Sequence, residues 1–146
     1  MIRPARDNRK GTDMPTIPDS HRDLLDAQVA SLATVGPDGR PQVSALWFLA
    51  DGDTIKLSLN TARQKTKNMM ARPHATLFLL DLANPARYLE LRGDVTIEPD
   101  DDYEFASKLG AKYGMDDMSV MDGPGERRVA VTIEPTRINA VDMSAG

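Results

Sequence analysis

No cysteine occurs anywhere in the chain, which excludes disulfides and thiolate chemistry. Histidine is nearly as scarce: only His21 and His74 are present, too few for a histidine-built metal centre. Aromatic residues make up 5% of the chain and Trp47 is its one tryptophan, so any ring-stacking surface draws on very few side chains. No apolar run approaches the ~20 residues of a membrane span. The charged first residues lack the hydrophobic core of a signal peptide, so a cytoplasmic location is the expectation. An excess of positive charge is missing too. Eighteen basic residues stand against 22 acidic ones, a balance that argues against a dedicated nucleic-acid binder.

What remains is an ordinary globular composition, 40% hydrophobic and 27% charged over 146 residues, enough for one domain with its own core. Residues 1–19 carry Arg3, Arg6, Arg9 and Lys10 with little to bury, and read as a disordered arm before a single domain over 20–146. Ser20 can cap a first helix in which Leu24, Leu25 and Val29 recur at helical spacing. A short strand follows over 32–35. Pro37-Asp38-Gly39-Arg40 is a turn signal, and the run 41–50 reads as a strand buried on both faces. Asp51-Gly52-Asp53 turns the chain into the alternating strand 54–59.

Strands are also expected over 75–80 and 88–97, the second bent near Gly93. Acids at 100–102 favour a helix start, with Phe105, Ala106, Leu109 and Tyr113 turned inward. The loop 114–126 is long enough for a mobile lid or for plain slack. Strands over 127–133 and 138–141 complete the set, with Pro135 between them. Short links between successive strands imply antiparallel pairing. The fold class is therefore mainly β, six or seven antiparallel strands closing as a small barrel with a few helices.

One segment stands out chemically. From Ser58 to Arg72 there is no acid, while Arg63, Lys65, Lys67 and Arg72 all fall within it. Thr61 with Gln64 three residues later has the pattern of a capping box, which would open a helix at that point. A helix start presents unpaired N–H groups and the positive end of the dipole, so donors, dipole and cations together suit an anion, above all phosphate. A basic helix is equally often a solvated face. Cations in the first turn oppose the dipole at ~0.3–1 kcal/mol each, and a bound anion would relieve that conflict.

Gly39-Arg40-Pro41-Gln42-Val43-Ser44 with Trp47-Phe48, then Arg63-Gln64-Lys65-Thr66-Lys67-Asn68 and Arg72-Pro73, resembles the flavin-binding split β-barrel superfamily typified by pyridoxamine 5′-phosphate oxidase. Within it, the chain is most similar to the short actinobacterial proteins that use the deazaflavin coenzyme F420. The later segments Gly125-Glu126-Arg127-Arg128-Val129 and Ile133-Glu134-Pro135-Thr136-Arg137-Ile138 share that likeness. The resemblance implies a homodimer with two cofactor sites at the subunit interface and a hydride-transferring oxidoreductase acting on a small conjugated organic substrate. FMN on the same fold, or a non-catalytic carrier of the cofactor, are the alternatives.

By the same likeness the phosphate would lie against Thr61, Arg63, Lys65 and Thr66. The ring would lie along Ser44, Ala45, Leu46 and Trp47 and near Ser58, Leu59 and Asn60. A second subunit would contribute Arg87 and Tyr88, which read equally well as a sheet-edge pair. Trp47 suits either the core or a ring stack. The vitamin oxidase itself has an adjacent Arg-Lys pair at the phosphate position and an aromatic, arginine-bearing C-terminus. Here the order is Arg63-Gln64-Lys65 and the chain ends Asp142-Met143-Ser144-Ala145-Gly146, so vitamin oxidation is not expected.

Overall fold

The structure, a computed structural model, describes residues 14–144. Seven strands make one antiparallel sheet: β1 (Ala30–Val35), β2 (Pro41–Leu46), β3 (Leu49–Asp51), β4 (Thr54–Asn60), β5 (His74–Leu80), β6 (Arg87–Pro99) and β7 (Arg128–Asp142). Around the sheet they run β2-β1-β5-β6-β7-β4-β3. The two strands at its ends, β2 and β3, are consecutive in the chain with only Trp47 and Phe48 between them. A sheet whose edges are two residues apart cannot lie flat, so it curls into a barrel. Leu32, Ile55, Leu57, Leu77, Leu79, Leu89, Leu91, Val131 and Ile133 fill the interior, all fully buried.

The crossing at Trp47-Phe48 corrects the expectation of one strand over 41–50. It is pinned from below by the end of helix α2 (Glu104–Lys112). The Phe48 N–H donates to Tyr113 Oη at 3.1 Å, and Lys112 Nζ donates to the Phe48 carbonyl at 3.0 Å while lying 3.8 Å over its ring. Trp47 stacks on Tyr113 with ring centroids 4.1 Å apart and planes 3° from parallel. The run is not buried on both faces either. Leu46 and Phe48 point inward, whereas Val43 is 66% exposed on the outer face.

The bend expected near Gly93 is present as a register shift between Arg92 and Gly93 in the β6–β7 pairing. A Cβ at Gly93 would sit 2.4 Å from the Glu134 carbonyl oxygen, so only glycine allows this approach. β7 is a single long strand rather than two, because Pro135 falls opposite Gly93, where the ladder is already irregular.

The first helix is a 3-10 helix, Asp19–Asp26, capped by Pro18 rather than Ser20, and Val29 lies beyond it, half exposed. Most of the expected disordered arm, residues 1–13, lies outside the described residues. Its last part is packed: Ile17 is 3% exposed, and its N–H donates to Asp53 at 3.0 Å.

Arg87 ties the 3-10 helix to the sheet, bonding both oxygens of Asp23, the Ser20 carbonyl and Asp81. Its guanidinium holds the Asp23 and Asp81 carboxyls below the usual carboxylate range. That contribution is present above the unfolded carboxylate range and is lost as pH falls through the depressed folded values. Arg87→Ala is expected to speed amide exchange over residues 19–26 while leaving β5 and β6 protected. Uniform exchange in mutant and parent would show that the clasp holds nothing.

Candidate functional site: a cationic cavity at the barrel mouth

Helix α1 (Gln64–Ala71) starts later than the capping box predicts, with Arg63 as its cap residue and no side-chain cap bond. Asn60 and Thr61 are engaged elsewhere. Asn60 Oδ1 accepts the Ala62 N–H at 3.0 Å, and Thr61 Oγ1 accepts the Arg127 N–H at 3.3 Å. Gln64 donates to Asn68 at 2.8 Å, within a polar cluster that also holds Thr34 and Gln42. The start of α1 is therefore left uncapped beside two cations.

A cavity of about 200 Å³ opens against it. Its cationic side is Arg63, Lys65 and Arg128, and its floor is Ser58, Leu59 and Asn60 from the end of β4. The apolar side is Ala45, Leu46 and Trp47, faced by Leu109, Met118 and Met121. Trp47, left open between core and ring stack, is half-buried: it stacks on Tyr113 and lines the cavity.

Lys65 is the unusual member. It is 4% exposed, yet among the described residues its ammonium has no hydrogen-bond or ion-pair partner. Burial, and then the neighbouring Arg63, push it below the ordinary lysine range. Two hydroxyls close in sequence to these walls, Ser44 Oγ and Thr66 Oγ1, are also buried without a partner among the described residues. A cation held largely out of solvent with no protein partner is destabilised, and an oxyanion would satisfy it.

Eight of the expected residues line this cavity: Ala45, Leu46, Trp47, Ser58, Leu59, Asn60, Arg63 and Lys65. Ser44, Thr61 and Thr66 are next to it in sequence but do not line it. Arg87 and Tyr88 lie apart from it. The Arg87 guanidinium is consumed by Asp23 and Asp81, and Tyr88 packs at 5.1 Å against Phe78 on the outside of the barrel.

Sequence reasoning missed Arg128, Leu109, Met118 and Met121. Arg128 opposes Asn60 across the β4–β7 pairing, a contact 68 positions away in the chain. The alternation of β7 gives no such signal, because Arg128 falls in phase with Ala130 and Thr132 rather than with the inward-facing Val129, Val131 and Ile133. The 114–126 loop is not slack. It contains a second 3-10 helix, Met118–Met121, and Asp122, whose carboxylate pairs with Arg128 at 2.5 Å inside the protein.

This donor set suits a phosphate-bearing ring compound. The uncapped helix start and Lys65 meet the anion, and the Trp47 wall meets a flat apolar body. At about 200 Å³ the cavity encloses only part of such a molecule, against the ~300–1,000 Å³ typical of sites that bury a whole cofactor.

Comparison with known proteins bears on the same point. The family model for pyridoxamine 5′-phosphate oxidase matches residues 17–142. A solved F420 reductase is 36% identical with a TM-score of 0.73, the match covering 84% of this chain and 98% of that one. A conserved hypothetical protein from Mycobacterium tuberculosis is 24% identical with a TM-score of 0.70, over 89% of this chain and 87% of that one. A heme storage protein from Vibrio cholerae shares the fold at 15% identity and a TM-score of 0.64, over 87% and 96% of the two chains. No curated protein matches the chain. With the family model spanning nearly all of the described residues, the chain belongs to the pyridoxamine 5′-phosphate oxidase family and has its split-barrel fold.

Proposed function

We propose that this protein is an F420-dependent oxidoreductase that passes a hydride to a small conjugated organic substrate. The observation that carries the reading is Lys65, buried and unpartnered at an uncapped helix start, with Trp47 across the same cavity. The 36% identity to an F420 reductase favours the deazaflavin over FMN. Such a ring, when bound, supplies the two-electron chemistry. Lys65 and Arg63 would hold its phosphate, and Trp47, Leu46 and Ala45 would set the plane of the ring. Met118 and Met121 would keep water from the face where the substrate lies. No general base is required of the chain, and Ser58 is the cavity hydroxyl nearest to hand for a proton.

The working unit in this reading is a homodimer. Cross-strand register puts Ala45, Val43, Phe78, Leu80 and Tyr88 on one outer face of the sheet. Val43 and Leu80 are exposed there. Ala45 belongs to both that face and the cavity, so a second copy seated on it would complete the partial enclosure. Tyr88 is placed to join such a site, whereas Arg87 is already occupied within its own chain.

Titrating the protein with coenzyme F420, FMN and FAD, read by Trp47 fluorescence, tests the reading. Saturable quenching by F420 is the expected result. Tight FMN binding with no response to F420 would transfer the protein to FMN chemistry. Tight F420 binding, with reduced F420 never oxidised faster than in protein-free controls across quinones and enones, would favour a carrier. Replacing Arg63 and Lys65 together by alanine is expected to cut F420 affinity more than tenfold, since each charge-assisted phosphate bond contributes about 1.5–3 kcal/mol.

A further inference from the structure

Arg128 has donors to spare. It is 5% exposed and lines the cavity. Its Nε and one terminal nitrogen bond the two oxygens of Asp122 at 3.1 and 2.5 Å, and the other terminal nitrogen lies 3.4 Å from Ser58 Oγ. A guanidinium carries five N–H groups in a fixed plane, two on each terminal nitrogen and one on Nε. The pair with Asp122 and the bond to Ser58 use three of these, leaving one N–H on each terminal nitrogen without an acceptor among the described residues. Burying such donors without an acceptor is unfavourable. Nothing about phosphate requires them, because Lys65 and Arg63 already provide for it.

The Asp122 carboxylate is itself over-determined. It accepts from Tyr103 Oη at 2.6 Å and from Asn60 Nδ2 at 3.0 Å as well as from Arg128. Burial would raise its carboxyl, but the bonds from Arg128, Tyr103 and Asn60 outweigh that and hold it below the usual range. Tyr103 is the one non-glycine residue of positive φ among those described, at 62°. An unfavourable backbone conformation is maintained where it delivers the phenol to Asp122.

We propose that the two unused N–H groups of Arg128 form a second binding subsite, reading the carbonyl-bearing pyrimidinedione edge of the bound ring, and that Asp122, Tyr103 and Asn60 are positioning residues that aim them. The subsite rests on the reading of the cavity as a flavin or deazaflavin site. It assigns the two groups of cations separate tasks: Lys65 and Arg63 recognise the phosphate, and Arg128 recognises the ring. A cation against that edge also favours the reduced ring, on which negative charge accumulates.

The test uses F420 and its phosphate-free ribityl deazaflavin core as probes. Arg128→Lys keeps the charge and removes the planar N–H groups. It is expected to weaken both probes about tenfold with little change in potential, whereas Arg128→Met, which removes the cation as well, is expected to lower the midpoint potential of bound F420 by about 30 mV, the equivalent of a tenfold preference for the reduced form in a two-electron couple. Lys65→Met is expected to weaken F420 alone. Tyr103→Phe leaves the N–H groups of Arg128 in place but unaimed, and is expected to shift the potential in the same direction as Arg128→Met by a smaller amount, which a purely structural role would not do.

A second measurement needs no mutation. Side-chain ¹⁵N resonances of Arg128 in the parent protein should move on adding the phosphate-free core and stay still on adding inorganic phosphate. If the parent binds F420 while Arg128→Lys binds both probes equally well, or the Arg128 resonances do not move with the core, the subsite is wrong. If the parent binds neither probe, the flavin-type reading fails and the subsite falls with it.

Discussion

Lys65→Met is expected to raise the melting temperature of the ligand-free protein and, in the same variant, to cut its affinity for F420 by more than tenfold. The two effects have one cause. Lys65 is buried beside Arg63 with no acceptor among the described residues, so the folded protein carries a charged group whose hydration is reduced and not replaced by a protein partner. Methionine has similar length and no such requirement. Relief of this partial desolvation is expected to amount to about 1 kcal/mol, or a few degrees for a domain of this size.

The dependence on pH follows from linkage. The folded pKa lies below the unfolded lysine value near 10.5, so at neutral pH the penalty is fully present. Between the depressed value and 10.5 the unfolded chain binds more protons, and stability rises with pH across that window. The advantage of methionine should therefore shrink as pH climbs through it. Scanning calorimetry of both proteins across that range measures this directly. A melting temperature unchanged at neutral pH would mean that Lys65 is already satisfied, and the anion site would lose its foundation.

Gly93→Ala is expected to be the most damaging single methyl group in the barrel. Its Cβ would meet the Glu134 carbonyl oxygen at 2.4 Å, the Glu134 carbonyl carbon at 2.8 Å and Ile133 Cγ2 at 2.9 Å. Two of those atoms are backbone and cannot rotate away, so β6 and β7 must separate where they are already irregular. A cost of about 3 kcal/mol or more is expected, at the upper end of overpacking. Gly52→Ala is the control. Gly52 has a φ of 63° but nothing within 4 Å of its Cβ, so only the left-handed penalty of about 1 kcal/mol applies. Equal denaturation midpoints for the two variants would show that the β6–β7 contact is looser than its geometry.

Local pattern carried the reading of the sequence a long way. The alternation in 54–59 and the bend at Gly93 were legible because strand period and glycine freedom are properties of neighbouring residues. The acids after Pro99 announced α2. Asp100 does cap it, accepting the N–H groups of Phe105 and Ala106 at 3.0 and 2.9 Å.

The misreadings share a different origin. Thr61 and Gln64 had the form of a capping box, but Thr61 is claimed by Arg127, a partner no local window contains. The apolar run through Trp47 and Phe48 concealed the break between β2 and β3, because both halves remain extended while changing neighbours. Arg128 looked like any strand arginine until β7 paired with β4 and set it beside Asn60. Sites assembled from distant strands become visible only once pairing is known.

That pairing has a consequence for how the protein comes into being. β7 lies between β6 and β4 in the barrel, and Arg128 reaches Ser58 across 70 positions of sequence. As the chain leaves the ribosome, β4 and α1 emerge early, with the lysine exposed and hydrated and no cavity around it. The pocket comes into existence when β7 slides into its gap, and closure of the barrel then buries the charge. The fold and the binding site therefore depend on the same long-range β4–β7 pairing, a contact of high contact order. A cofactor present at that moment would drive the chain toward its native state by mass action.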